Sequence, residues 1–189
     1  MQKIIKNSIQ AHKEALTLLE KNSKVIEDIA SLFIATLKNK GKIIFMGNGG
    51  SAADAQHLAA ELVGRFKKNR APLAAIALST NTSILTAVGN DFSFEEIFTR
   101  QIEALANSND LIVGISTSGE SKNIVTAIEK SRQLGLKTTA LLGKDGGQLA
   151  SLVDTALIIS SAETPSIQEM HILAGHIICE IVETRMFPL

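Results

Sequence analysis

The stretch that most limits what this chain can fold into is Lys42–Arg65, KIIFMGNGGSAADAQHLAAELVGR. Ile43-Ile44-Phe45-Met46 is a short uninterrupted apolar run, the pattern of a strand buried on both faces of a parallel sheet. Gly47-Asn48-Gly49-Gly50-Ser51 comes next, and then Ala52, Ala53, Ala55, Leu58, Ala59, Leu62 and Val63 recur at helical spacing. A strand, a glycine-rich turn and a helix in that order gather free backbone N–H groups and the positive end of a helix dipole at one point. Such a point suits an anion, usually a phosphate. His57, Glu61 and Arg65 fall at i, i+4 and i+8, so all three are expected to project from one side of that helix.

The rest of the chain repeats the alternation. Residues 2–20 read as an amphipathic helix with a stripe of Ile5, Ile9, Leu16 and Leu19, widened by Ile4, Ala11, Ala15 and Leu18. That stripe could pack on the core or on a second subunit; His12 reads as solvated. A second helix spans 23–39 and stops at Gly41. After the central stretch, the basic segment Phe66–Pro72 reads as a solvated loop. Further strands are expected at 74–78, 110–115, 137–142 and 155–159. Helices are expected at 82–88, 94–105, 122–134, 148–152 and 166–185, with a turn at Val88–Phe92. Apolar residues surround most of the last helix, which implies burial against another subunit. The pattern gives a doubly wound α/β domain over 1–189, five parallel strands with helices on both faces and a helical N-terminal extension over about 1–40. Ligands of such sheets sit at the carboxyl ends of the strands, where the polar turns after the first three strands meet.

Composition narrows the function. Lys and Arg number 19 against 19 Asp and Glu, and aromatics make up 4% with no Trp or Tyr. Neither a nucleic-acid footprint nor base-stacking platforms are indicated. The single cysteine, Cys179, excludes an internal disulfide and a cysteine-based zinc site. The N-terminal stretch has no long apolar segment and no run approaches membrane-spanning length, so a soluble cytoplasmic protein is expected.

Three groups of residues could carry chemistry. Ser116-Thr117-Ser118-Gly119-Glu120-Ser121 packs hydroxyls and a glycine between a strand and a helix, where they could ring a phosphate or merely cap the helix. Neither a Walker A loop nor a G-x-G-x-x-G fingerprint is present. His57 and Glu61 have a spacing that suits metal chelation or acid–base work, and equally occurs on ordinary surfaces. In the last helix Gln168 and His176 face one direction within about 80°, with His171 on the other flank as a packing or supporting group.

As a set, G-N-G-G-S-A-A-D-A-Q-H-x-x-x-E-L-x-G-R, V-G-N-D, S-T-S-G-x-S, G-K-D-G-G and I-Q-E-M-H-I-L-x-G-H resemble the bacterial phosphoheptose isomerase family over essentially the whole chain. That family has the three-layer α/β/α sugar-isomerase (SIS) fold. The resemblance implies one zinc ion per subunit held by His57, Glu61, Gln168 and His176. It implies substrate contacts from Asn48, Gly49 and Gly50 in the first turn, from Asn90 and Asp91 in the second, and from Glu61 and Gln168. Ser116, Thr117, Ser118 and Ser121 would hold the phosphate. It implies a homotetramer with sites at subunit interfaces, and Glu61 as base and His176 as acid. The implied reaction converts sedoheptulose 7-phosphate to D-glycero-D-manno-heptose 7-phosphate, the first step of ADP-heptose synthesis for lipopolysaccharide. The chain departs at Ser166, where family members often carry Arg. Arg65 could orient Glu61 or reach phosphate.

Two rival readings stand beside this one. A non-catalytic SIS scaffold that binds the replication initiator DnaA resembles the same chain but lacks the catalytic Glu and the final His, both present here. Another SIS isomerase, acting on a hexose or pentose phosphate, is opposed by the motif around His57.

Overall fold

A computed structural model describes residues 1–188. Five parallel strands form one sheet in the order β2-β1-β3-β4-β5, the doubly wound arrangement. The strands are β1 (Ile43–Gly47), β2 (Ala75–Ala77), β3 (Leu111–Ser116), β4 (Lys137–Gly143) and β5 (Thr155–Ile159). The helices are α1 (Gln2–Glu20), α2 (Ser23–Lys38), α3 (Gly50–Val63), α4 (Thr82–Asp91), α5 (Thr99–Leu105), α6 (Lys122–Gln133), α7 (Leu149–Leu152) and α8 (Thr164–Met186).

Period-two alternation along the strands builds two cores on opposite faces. Ile43, Phe45, Leu111, Val113, Ile115 and Leu141 face α1, α2, α3 and α8. Ile44, Met46, Ile112, Ala140 and Leu142 face the other way, onto Ile97, Phe98, Ile102, Ile124 and Ile128 of the 97–128 region. All of β1 and β3 is buried, and residues 43–46 and 111–115 accordingly carry no polar side chain. No described helix is long and apolar enough to cross a membrane.

Several expectations need correction. Helix α3 stops at Val63, and Gly64 turns the chain away at φ −79°, ψ −102°, so exposed Arg65 leaves the row of His57 and Glu61. The basic loop is not solvated throughout, because Arg70 turns inward to Glu183. Val88–Asp91 is helical: the Asn81 side chain accepts from the N–H of Ile84 and starts α4, which continues through Gly89. The 94–105 helix is interrupted, Phe94–Glu96 being a 3₁₀ turn before α5. Ile97 and Phe98 between them keep helical dihedrals, so the interruption lies in hydrogen bonding. Helix α8 is covered along much of its circumference by α1, α2, α3 and β4 of its own chain, so its apolar sides do not by themselves require a second subunit. His12 is not simply solvated, since its Nδ1 meets Glu169 Oε2 at 2.7 Å across α1 and α8.

Candidate active site

Helices α3 and α8 run side by side in the same sense. Asp54 meets Gln168, Leu58 lies against Gly175, and the loop after α3 meets Glu183. The order of these contacts places His57 and Glu61 opposite His176. His57 Nε2 lies 3.0 Å from His176 Nε2 and 3.1 Å from Glu61 Oε1. One ligand atom from each of the three falls within 4.8 Å of the others. Two imidazole nitrogens 3.0 Å apart can share one proton, but two imidazolium N–H groups facing at that distance would repel. Burial, and then the charge of His57, hold the His176 pKa below the usual histidine value, with Glu61 opposing. The shift favours the neutral His176 ring. Phe66 lies flat on its other side, ring centroids 5.4 Å apart at 16°.

Donor chemistry and spacing fit a metal. A tetrahedral zinc with bonds of about 2.1 Å holds its ligand atoms about 3.4 Å apart, near the 3.0 and 3.1 Å that separate His57 Nε2 from His176 and Glu61. Gln168 Nε2 donates to Asp54 Oδ1 at 2.5 Å. Its side chain rests over Gly50, whose missing Cβ would lie 3.4 Å from Gln168 Cγ. Asp54 is only 4% exposed and its Oδ2 has no partner among the described residues. Burial raises its pKa to about 6, against the hydrogen bond from Gln168 and the nearby His57.

The Gly47–Ser51 turn and the start of α6 are joined. Asn48 Nδ2 donates to Asn123 Oδ1 and Asn123 Nδ2 donates to Asn48 Oδ1, both at 2.9 Å, a closed amide pair between the turn after β1 and the start of α6. Gly49 sits at φ +53° with open space where a side chain would stand, so this backbone is free to approach a ligand. Ser121 precedes α6 without capping it by its side chain. Its hydroxyl turns instead to Ser116 Oγ at 3.0 Å, and Ser118 Oγ lies 3.4 Å from the same atom. Ser121 therefore does not cap α6, while Ser116 Oγ and Ser118 Oγ accept the backbone N–H groups of Gly119 and Glu120 within the turn. Gly119, at φ +69°, passes so close to the Gly143–Gly147 turn that a Cβ would lie 2.0 Å from the Gly146 carbonyl oxygen.

The structure does not bring every expected residue to this place. Asn90 and Asp91 are exposed in the last turn of α4, and the Asn90 amide donates to Asp91 Oδ1 at 2.8 Å. His171 is fully buried with Nε2 3.0 Å from the Leu142 carbonyl oxygen, a packing role as one reading held. Ser166, where a cation was absent, is buried at the start of α8.

Comparison with known proteins decides the family. The SIS domain profile matches residues 8–143. A phosphoheptose isomerase of Helicobacter pylori is 54% identical over 181 residues, covering 95% of this chain and 94% of the relative. That of Citrifermentans bemidjiense is 53% identical over 184 residues, covering 97% and 96%. The solved phosphoheptose isomerase of Neisseria gonorrhoeae superposes with a TM-score of 0.92 at 40% identity, covering 97% of this chain and 98% of that one. The chain belongs to the phosphoheptose isomerase family of SIS-domain proteins. It is an isomerase acting on a sugar phosphate.

Within this phosphoheptose isomerase scaffold three residues escaped the sequence reading. Asp54 sits inside the quoted motif, but its partner Gln168 is 114 positions away. Asn123 opens α6, and its partner Asn48 is 75 positions away. Arg70 looked like one more charge in a basic loop. Only the buried, paired state of each marks it, and that state depends on the fold.

Proposed function

We propose that this isomerase interconverts sedoheptulose 7-phosphate and D-glycero-D-manno-heptose 7-phosphate, supplying the first intermediate towards ADP-heptose and lipopolysaccharide. The observation that carries the reading is the His57–Glu61–His176 cluster beside the Gly47–Ser51 turn. Ser116, Thr117, Ser118 and Ser121, with the free N–H groups opening α6, receive the phosphate dianion. Asn48, Gly49 and Gly50 bind the sugar near its reacting end.

The ketose and aldose differ by a proton moved from C1 to C2 and by which oxygen is the carbonyl. Glu61 takes the C1 proton as a carboxylate, leaving an enediolate, and returns it to C2. His176 gives a proton to the C2 oxygen as charge builds there and recovers one from the C1 hydroxyl. No atom is gained or lost. His57, Glu61 and His176 would hold one zinc ion per subunit, with the Gln168 amide oxygen as a weaker fourth donor. Bound zinc would supply positive charge to polarise the sugar oxygens. Ligation and proton transfer would compete for Glu61 and His176.

Asn90 and Asp91, remote from the cluster's hydrogen bonds within one chain, serve a neighbouring subunit of a homotetramer in this reading. The enzyme works in the cytoplasm, where sugar phosphates are made. Replacing Glu61 by Gln keeps the shape and removes the base. Turnover should fall by at least about 100-fold, while inorganic phosphate still protects the protein against thermal unfolding. Turnover within a few-fold of the parent would end the assignment of Glu61.

A further inference from the structure

Arg70 and Glu183 form an ion pair with each side chain 1% exposed, Nε lying 2.9 Å from Oε1. The remaining hydrogen bonds of both groups go to backbone. Arg70 Nη2 donates to the Glu61 carbonyl oxygen at 2.8 Å, and Nη1 donates to that of Leu62 at 2.7 Å. Nη1 also reaches the carbonyl oxygens of Gly64 at 3.3 Å and Ala71 at 3.1 Å. The last carbonyls of a helix have no partner inside it, and a cation there is favourable. From the opposite side, Glu183 accepts the backbone N–H groups of Phe66, Lys67 and Lys68 at 2.9, 2.9 and 3.0 Å.

One end of this pair therefore grips the C-terminus of α3, which carries His57 and Glu61. The other grips the loop that follows α3 from a position on α8 two turns past His176. That loop delivers Phe66, whose ring lies on His176 at 5.4 Å. A buried ion pair contributes little net stability compared with well-packed apolar residues. Its use here is geometric.

We propose that Arg70 and Glu183 are positioning residues that set the relation of His57 and Glu61 to His176, acting through the Glu61 carbonyl and through the Phe66 ring. They touch neither sugar nor metal. The inference rests on the reading of the His57–Glu61–His176 cluster as the metal and proton-transfer centre.

The test uses the full chain with Arg70→Lys, and with Phe66→Leu, which leaves the ion pair whole. Lysine keeps the charge but presents a point donor that cannot serve Glu183 and the α3 carbonyls together. For Arg70→Lys, zinc affinity by chelator competition should fall about 10- to 100-fold. Its kcat should fall about 10-fold, with KM changed less than about 3-fold. In metal-free protein the His176 ring-proton NMR signal should lose its ring-current shift. Phe66→Leu should remove the same shift and weaken zinc by a smaller factor. Parent-like zinc affinity, kcat and His176 signal in folded Arg70→Lys would overturn the proposal. If that variant does not fold, Phe66→Leu with parent-like zinc affinity and kcat overturns it. A parent protein that binds no zinc would defeat the metal reading alone, because the His176 signal still reports whether Arg70 sets that ring.

Discussion

His171 and His176 lie less than two turns apart on α8 and meet opposite environments. His176 faces the other site groups, whereas His171 is sealed between α8 and β4. Burial pushes the His171 pKa from 6.5 down to about 4, opposed by its hydrogen bond to the Leu142 carbonyl. Between those two values the unfolded chain binds a proton at this residue that the folded protein does not. Stability from His171 is thus complete above about pH 6.5 and is lost as the pH falls towards 4, by about 3 kcal/mol. Asp54 works in the opposite direction. Its pKa is raised to about 6, so the folded protein holds a proton the unfolded chain has released, and acidification relieves a penalty. The two are separated by comparing the parent with His171→Gln, whose amide can still donate to Leu142. The stability of the parent relative to that variant should decline by about 3 kcal/mol between pH 7 and pH 4 in urea unfolding. Parallel curves would show that His171 is not held neutral by its surroundings.

At the scale of elements, the site depends on how closely α3 approaches α8. Gly175 permits that approach: a Cβ there would lie 2.5 and 2.6 Å from the Leu58 methyl carbons and 3.1 Å from Leu58 Cγ. Leu58 is 2% exposed and next in sequence to His57, so it has little room to yield. Gly175→Ala should cost about 1–3 kcal/mol of stability, read as a lower Tm, and should weaken zinc binding by spreading the two helices. A variant with parent-like Tm and zinc affinity would show that Leu58 moves aside freely. Most of these elements were legible in sequence. The buried strands announce themselves as apolar runs, and α1, α2, α6 and α8 fall within two residues of their expected limits. The misreadings share a physical cause. Nothing in the helical periodicity of Leu58, Leu62 and Arg65 registers that Gly64 ends α3, and Gly89-Asn90 is a turn signal overridden by a well-capped helix. His57, Glu61 and the serines of the 116–121 turn could be found because their motifs are local. Asp54, Asn123 and Arg70 owe their roles to partners 75 or more positions away, and no local pattern encodes them.

For the whole molecule, the two faces of the sheet divide the labour. The α1, α2, α3 and α8 face carries the metal-capable cluster, and the Ser116–Ser121 turn and α6 carry the hydroxyls, meeting at the carboxyl edge through the Asn48–Asn123 pair. The outer stripe of α1, with Ile4, Ile5 and Ile9 each more than half exposed, is left uncovered by the described residues of the single chain. In the proposed homotetramer this stripe is buried between subunits. A double change, Ile5→Asp with Ile9→Asp, should shift the light-scattering mass below that of the parent and lower turnover with it. An unchanged mass would place the subunit contacts elsewhere.

In the proposed mechanism a metal-bearing His57–Glu61–His176 centre isomerises a seven-carbon sugar phosphate. Turnover of sedoheptulose 7-phosphate by the purified protein, before and after chelation and again after zinc is restored, tests it most directly. The protein should be active, with turnover that disappears as bound zinc is stripped and returns at about one zinc per chain. Metal-replete protein with no turnover of this substrate, or full turnover by protein assayed free of metal, would contradict it.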